Sequence, residues 1–294
     1  MMDNDLVASV RITRFDGARR SEEQDGVGVE RPLELRVRGR SIVVTLRTPG
    51  HDEELAAGYL LAEGLLGCRD DFVGSSPCLQ PGRDDRGDVL NLHLSPLAAK
   101  RCSRLRGRAL SNSSCGLCGK RGLEDMREVS CLRAASNQRC SVSTLTALPD
   151  ALRRLQEAFL QTGGVHGVAL FDFKGRCRVA REDVGRHNAV DKVLGFAFLE
   201  RLTPLNSHVL LVSGRVSYEI MQKAASAGVP LVAAVSAPSS LAVEMAQEQG
   251  QTLVGFLRDG RFNVYADGGH LRWPRAAVKK VECRRAPVRR KAQS

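Results

Sequence analysis

Two cysteines stand two residues apart in the stretch SNSSCGLCGK, residues 111–120. Cys115 and Cys118 at this spacing suit three chemistries: half of a zinc site, a cycling disulfide, or a thiolate that carries sulfur. A structural zinc site needs four ligands, usually as two close pairs. The other seven cysteines (Cys68, Cys78, Cys102, Cys131, Cys140, Cys177 and Cys283) form no second close pair. A zinc deaminase would show H-x-E followed by P-C-x-x-C. Here Gly167 and Val168 follow His166, and Ser114 precedes Cys115. A thioredoxin-type pair follows a strand and opens a helix, whereas this pair lies in a long Gly/Ser-rich stretch. No metal is therefore expected, and a mobile thiolate remains. Lys120, Arg121, Arg106 and Arg108 would lower a thiol pKa. Such a thiolate can attack the outer sulfur of another protein's persulfide and carry that sulfur away.

Two strand ends carry a second kind of chemistry. LLVSGRVS runs through Ser213, Gly214 and Arg215 into a helix, and AAVSAPSS does the same through Ser236 to Ser240, Ser239 included. Free N–H groups at a helix start bind anions, and ligands favour the carboxyl ends of strands in α/β sheets. The two turns suggest a phosphate-bearing ligand, although serine capping alone explains either turn. Neither GxGxxG nor GxxxxGK[ST] is present. REDVGRHNAVDK, residues 181–192, crowds Arg186, His187 and Lys192 at a helix start. Arg186 and His187 near the helix N-terminus oppose its dipole unless an anion sits there; the alternative is a solvated charged face. His166, after the Gly163–Gly164 pair, reads on its own as a structural histidine.

These residues need a framework. The chain has 294 residues, 43% of them hydrophobic, enough for one large domain or two smaller ones. Residues 1–28 read as a leader strand and a polar loop, and PLELRVRGRSIVVTLRTP as a hairpin. HDEELAAGYLLAEGLL reads as a helix with acids in its first turn, and DVLNLHLS as a strand. Residues 1–105 thus form a small α+β unit, and 106–140 a flexible loop carrying the cysteine pair. From residue 141 to 270 the pattern turns to α/β alternation. PDALRRLQEAFLQTGG is a helix, VALFDF and CRVARED are paired strands, and three helices alternate with the strands HVLLVSG and VPLVAAVS before QTLVGFL and RFNVYA close with two strands. Continuous apolar strands joined by helices imply a sheet covered on both faces.

Residues 271–294 form a basic tail expected to be disordered: from 272 onward, nine Lys/Arg against one Glu carry +8 of the formal +11. The charge is thus concentrated at one end, and aromatics are only 4% of the chain. Both facts argue against a nucleic-acid partner. No apolar run approaches the roughly 20 residues of a membrane span, and MMDNDLVASV is no export signal. A cytoplasmic protein is expected, with no membrane partner, and a disulfide framework is not.

TPGHDEELAAGYLLAEGLL, SSCGLCGK, TGGVHGVALF, REDVGRHNAVDKVLG, SGRVSYEIMQKAASAGVPLVAAVSAPSSLAVEMAQ and TLVGFLRDGRFNVY, in this order, resemble the successive blocks of the FdhD family. These are formate dehydrogenase accessory sulfurtransferases. The resemblance covers about residues 40 to 268. It implies a cytidine-deaminase-like three-layer α/β domain without the zinc site, beside a smaller N-terminal α+β domain. It implies that Cys115 takes persulfide sulfur from a cysteine desulfurase. The sulfur then passes to the molybdenum bis(molybdopterin guanine dinucleotide) cofactor, which formate dehydrogenase requires in sulfurated form. The resemblance assigns cofactor binding to Phe256, Leu257, Arg258, Asp259, Gly260 and Arg261. Joined to Ser213, Gly214, Arg215, Ser239, Arg186, His187 and Lys192, this segment would hold the guanine dinucleotide, with GDP as a mimic of half of it. Cys118 would assist the hand-off. Expected partners are the desulfurase and the formate dehydrogenase catalytic subunit, with oligomeric state open, a homodimer included. The alternative is a chaperone that binds and inserts the cofactor with no covalent sulfur step.

Overall fold

The computed structural model describes residues 6–78, 88–103 and 138–274. Cys115, Cys118, Cys131 and Cys283 lie outside these residues. Residues 6–28 are not a strand and a loop. β1 (Val7–Phe15) and β2 (Arg20–Gly28) form one antiparallel hairpin. RSEEQDGVG conceals its strand because the hairpin is largely solvated on both faces, so no apolar alternation marks it.

β3 (Arg31–Val37) and β4 (Arg40–Arg47) form the expected hairpin. Its turn, Arg38–Gly39, has both residues at positive φ, the backbone that matches strand twist in a two-residue connection. With β5 (Phe72–Pro77) and β6 (Val89–Leu94) they make a four-stranded sheet in the order β4-β3-β6-β5. α1 (Asp52–Ala62) and α2 (Pro96–Cys102) cover it, burying Leu33, Leu35, Leu55, Leu60 and Phe72.

The larger sheet has six strands in the order β13-β12-β11-β10-β8-β9. β8 (His166–Asp172) and β9 (Cys177–Asp183) are an antiparallel pair at one edge. β10 (His208–Val212), β11 (Leu231–Ala234) and β12 (Thr252–Arg258) run parallel. β13 (Arg261–Ala266) closes the other edge antiparallel. α5 (Arg186–Leu199), α6 (Tyr218–Ser226) and α7 (Ser240–Gln249) pack on one face against Leu210 and Val212. α3 (Val142–Arg154) packs on the other, against Val209 and Leu211. Both faces are covered, and strand alternation divides the side chains between them. The helix read over PDALRRLQEAFLQTGG is in fact two. α3 starts earlier, capped by Ser141, and α4 (Glu157–Thr162) follows after a break at Leu155–Gln156. The Glu182 carboxylate accepts from Ala158 N and Phe159 N at 2.8 Å each and holds the start of α4.

α5 lies between the six-stranded sheet and α1, and its residues from His187 to Gly195 are all buried. The two helices meet backbone to backbone. A methyl group on Gly58 of α1 would overlap the Asp191 carbonyl, and one on Gly195 of α5 would overlap the Glu54 carbonyl. Only glycine permits that approach.

Candidate functional site

β8 runs antiparallel to β10, so its first residue, His166, lies beside the carboxyl end of β10. A cavity of about 640 Å³ opens there. Its floor is the turn Ser213–Gly214–Arg215 and the end of β11 at Val235–Ser236; its walls come from α3, the α3–α4 break, the Gly163–Gly164 pair and Arg186. Ser213 fixes the floor to β8: Gly167 N donates to Ser213 Oγ at 3.0 Å, and Ser213 N donates to Gly167 O at 2.9 Å. The two strand-end turns hold each other through Val216 N to Ala237 O (3.2 Å) and Ser239 N to Val216 O (2.9 Å). The position is a carboxyl-end crevice of the kind where open α/β sheets bind ligands.

The cavity is cationic. Arg186, Arg215 and Arg153 line it with His166, and Asp150 is the acid on its α3 wall. Gly214 makes the floor close-fitting: a Cβ there would lie 3.1 Å from His166 Nδ1 and 3.9 Å from Arg186 Cδ. Burial holds the His166 imidazole below its ordinary pKa, and Arg186, His187 and Arg215 push the same way. Gln156, only 5% exposed, packs across Gly167, and its Nε2 has no hydrogen-bond partner among the described residues. An unpaired buried amide costs about 1–3 kcal/mol. Gln156 and His166 were not among the site residues read from sequence. The Gly163–Gly164 pair before β8 was the signal for His166; Gln156 had none.

The structure separates the other candidate residues. Ser213, Gly214, Arg215 and Arg186 meet at the cavity. Ser239 caps α7, accepting from Ala242 N at 3.3 Å. His187 turns to α6, with Nε2 3.0 Å from Glu219 Oε2 and 3.1 Å from Ser217 Oγ. Both contacts fall on one ring nitrogen, so this trio lacks the two-nitrogen relay of a hydrolase triad. Lys192 is 1% exposed and lies 2.8 Å from Asp183 Oδ2, donating also to Thr48 O at 2.8 Å. Asn188 donates to Leu46 O at 2.6 Å, and Lys223 pairs with Asp191 at 2.7 Å. Most of REDVGRHNAVDK is thus neither a solvated face nor a phosphate cluster. It is an internal bracket that ties α5 to the end of β4, with Arg186 at its cavity edge.

The segment Phe256–Arg261 adjoins the cavity floor, since Phe256 N donates to Ser236 O at 3.1 Å. Arg258 pairs with Arg261 across Asp259 and Gly260, both at positive φ, forming a two-residue turn. Phe256 lies at a register shift with φ 54° and is 37% exposed. A bulky residue in that region is a genuine outlier of the sort that clusters at ligand sites. Arg258 places its guanidinium 6.0 Å over the Phe256 ring. Leu257 points the other way, fully buried in the core beneath α3.

Burial raises the Cys102 and Cys140 thiols to about 11, and it also raises Cys177. These three are poor nucleophiles at neutral pH. A second cavity, about 660 Å³, contains Arg69, Arg101 and Arg201. Arg101 pairs with Asp71 at 3.1 Å, Arg201 with Asp70 at 2.6 Å, and Arg69 donates to Leu199 O. Two of its cations are paired with acids and Arg69 is engaged by backbone carbonyls, which disfavours an anionic ligand there. Among the described residues no three His, Cys, Asp or Glu side chains are grouped to hold a metal ion. None of the described helices is long and apolar enough to cross a membrane.

The sequence profile of the FdhD/NarQ family matches residues 28–272. A protein of Mycolicibacterium paratuberculosis called sulfur carrier protein FdhD is 46% identical over 258 residues, 87% of this chain and 95% of its own length. A protein of Sulfurisphaera tokodaii with the same name is 39% identical, over 88% of this chain and 96% of its own. Among solved structures, a candidate formate dehydrogenase accessory protein from Desulfotalea psychrophila superposes with a TM-score of 0.71. It covers 90% of this chain and 99% of its own at 24% identity, a likeness of fold.

Proposed function

The chain belongs to the FdhD/NarQ family, and from that premise we propose that it is a cytoplasmic sulfurtransferase for formate dehydrogenase maturation. The Cys115 thiolate attacks the outer sulfur of a cysteine desulfurase persulfide. The donor's S–S bond breaks, its electron pair stays on the desulfurase thiolate, and Cys115 becomes the persulfide. The acceptor is the molybdenum bis(molybdopterin guanine dinucleotide) cofactor, a substrate delivered to the formate dehydrogenase catalytic subunit. Sulfur released as sulfide takes up two electrons, which Cys118 can supply by closing a disulfide with Cys115; another thiol can fill that role. The α/β body reads as cytidine-deaminase-like, and a resident zinc has no part in this reading.

The observation that carries the ligand assignment is the cationic cavity at the carboxyl ends of β10 and β11. Arg186 and Arg215 suit a diphosphate, and the floor supplies backbone N–H groups for it. Phe256, exposed beside that floor, offers a ring to a purine, and Arg258 and Arg261 flank it. His187 and Lys192 act behind the site, as the bracket that positions α5.

GDP, half of the dinucleotide in chemical terms, tests this reading. It is expected to raise the melting temperature, and at about 100-fold its dissociation constant to add roughly 2.7 kcal/mol of stability. No heat and no thermal shift with GDP would remove the cavity assignment. A chaperone without covalent chemistry would bind GDP yet gain no persulfide mass after incubation with desulfurase and cysteine.

A further inference from the structure

The cavity places an imidazole where a phosphate would bring two negative charges. His166 lines it together with Arg186 and Arg215, and its ring lies against Gly214 in the floor. The charges acting on this imidazole come from several elements, and they are cationic: Arg186 and His187 on α5, and Arg215 after β10. Asp183, its register partner on β9, is held by Lys192. Asp150 and Arg153 face the cavity from α3, one of each sign. His187 is held between Glu219 and Ser217. In the free protein His166 is therefore kept neutral by burial and by neighbouring cations.

We propose that His166 is a third phosphate-binding group, whose imidazole takes up a proton as a diphosphate enters and then pairs with it. The inference rests on the nucleotide reading of this cavity and adds to it a proton coupled to binding. The direction follows from the charges. An entering phosphate neutralises Arg186 and Arg215 and adds an anion beside the ring, so each influence that held His166 neutral is offset or reversed. Protons bound on complex formation make affinity fall as pH rises. The change reaches at most about tenfold per pH unit between the free-state and bound-state pKa values.

The test uses the full-length protein with GDP as the probe. Imidazole resonances are titrated by NMR with and without saturating GDP, and the His166 signal is assigned by its loss in His166→Gln. The expected result is a His166 pKa that moves up on GDP binding, while half-buried His208 and buried His270, neither of which lines the cavity, stay where they are. Calorimetry in buffers of different ionisation enthalpy supplies the proton count. Wild type should take up more protons per GDP than His166→Gln, and should gain affinity over that variant as pH falls. The terminal phosphate of GDP titrates too, and its bound-state titration is read separately in each protein from the phosphorus resonances, so subtracting it isolates His166. Binding of GDP with an unchanged His166 pKa, or equal proton counts in the two proteins, would overturn the inference and leave the cavity assignment standing. No binding of GDP by wild type would overturn both. The NMR arm reads wild type directly, so a poorly folded variant does not decide the outcome.

Discussion

Replacing Cys115 with Ala is expected to take formate dehydrogenase activity to background in a strain that lacks its own sulfurtransferase and carries only this variant. The argument has two parts. Three cysteines of the folded body, Cys102, Cys140 and Cys177, have thiols raised by burial, two of them to about 11. At that pKa only on the order of one thiol in ten thousand is ionised at pH 7, far below an unperturbed cysteine. Cys115 instead stands in a stretch with Lys120, Arg121, Arg106 and Arg108, which favour the thiolate. Folding and GDP binding should survive, with stability changed by no more than about 0.5 kcal/mol, because the Gly/Ser-rich stretch around Cys115 carries no apolar period that would bury it. Cys118→Ala should lower activity less, since other thiols can accept its role. Full rescue by Cys115→Ala would end the carrier mechanism; loss confined to Cys118→Ala would exchange the two roles.

Lys192→Met is expected to lower stability by about 3–5 kcal/mol while leaving the GDP affinity of the folded protein unchanged. The substitution removes the ammonium 2.8 Å from Asp183 and leaves that carboxylate, 0% exposed, with Gly185 N at 2.8 Å, Thr48 N at 3.2 Å and Asn188 Nδ2 at 3.3 Å. Burial raises the Asp183 pKa in the folded state. A carboxyl raised on folding contributes stability below its unfolded pKa, about 3.9, and loses it as pH rises through the folded value. The variant's deficit should therefore be smallest in acid and grow toward neutrality. Urea unfolding of both proteins at pH 4 and pH 7 checks the size and the sign, with the slope unchanged and the midpoint moved. A loss of GDP affinity at unchanged stability would return Lys192 to the phosphate site.

Lys192 also shows what the sequence could and could not convey. Its charge was legible, but it stands in the second turn of α5, beyond Arg186 and His187, whose charges oppose the helix dipole. Its partner was not legible, because Asp183 and Thr48 reach it through tertiary packing of β9, β4 and α5. The alternating and continuous apolar strands of the six-stranded sheet were readable, since burial on one or both faces writes a period into the chain. The β3–β4 hairpin was readable because apolar and polar residues alternate on both sides of its turn. β2 was hidden because a hairpin solvated on both faces imposes no such period. The α3–α4 break was hidden too. Glu182 creates it from β9, and Gln156 acquires its place in the cavity wall only because of it. That Ser213, Gly214, Arg215 and Arg186 line one cavity was legible in outline, because strand-to-helix turns are local in sequence and their topological position is general.

The glycine crossing of α1 and α5 bears on how the molecule comes apart. α1 belongs to the first part of the chain and α5 to the last. Gly58 and Gly195 bring their backbones into contact with no side chains between. At that crossing there are no rotamers that could loosen while the helices stay in place, and parting them exposes the buried length of α5 at once. Subglobal opening, in which one unit unfolds while the other persists, is the usual behaviour where an interface is small or polar. Here the amides of α1 and α5 should exchange with solvent only through whole-molecule unfolding. The four-stranded sheet and the six-stranded sheet then melt as one cooperative unit, and the cavity floor is as durable as the protein itself.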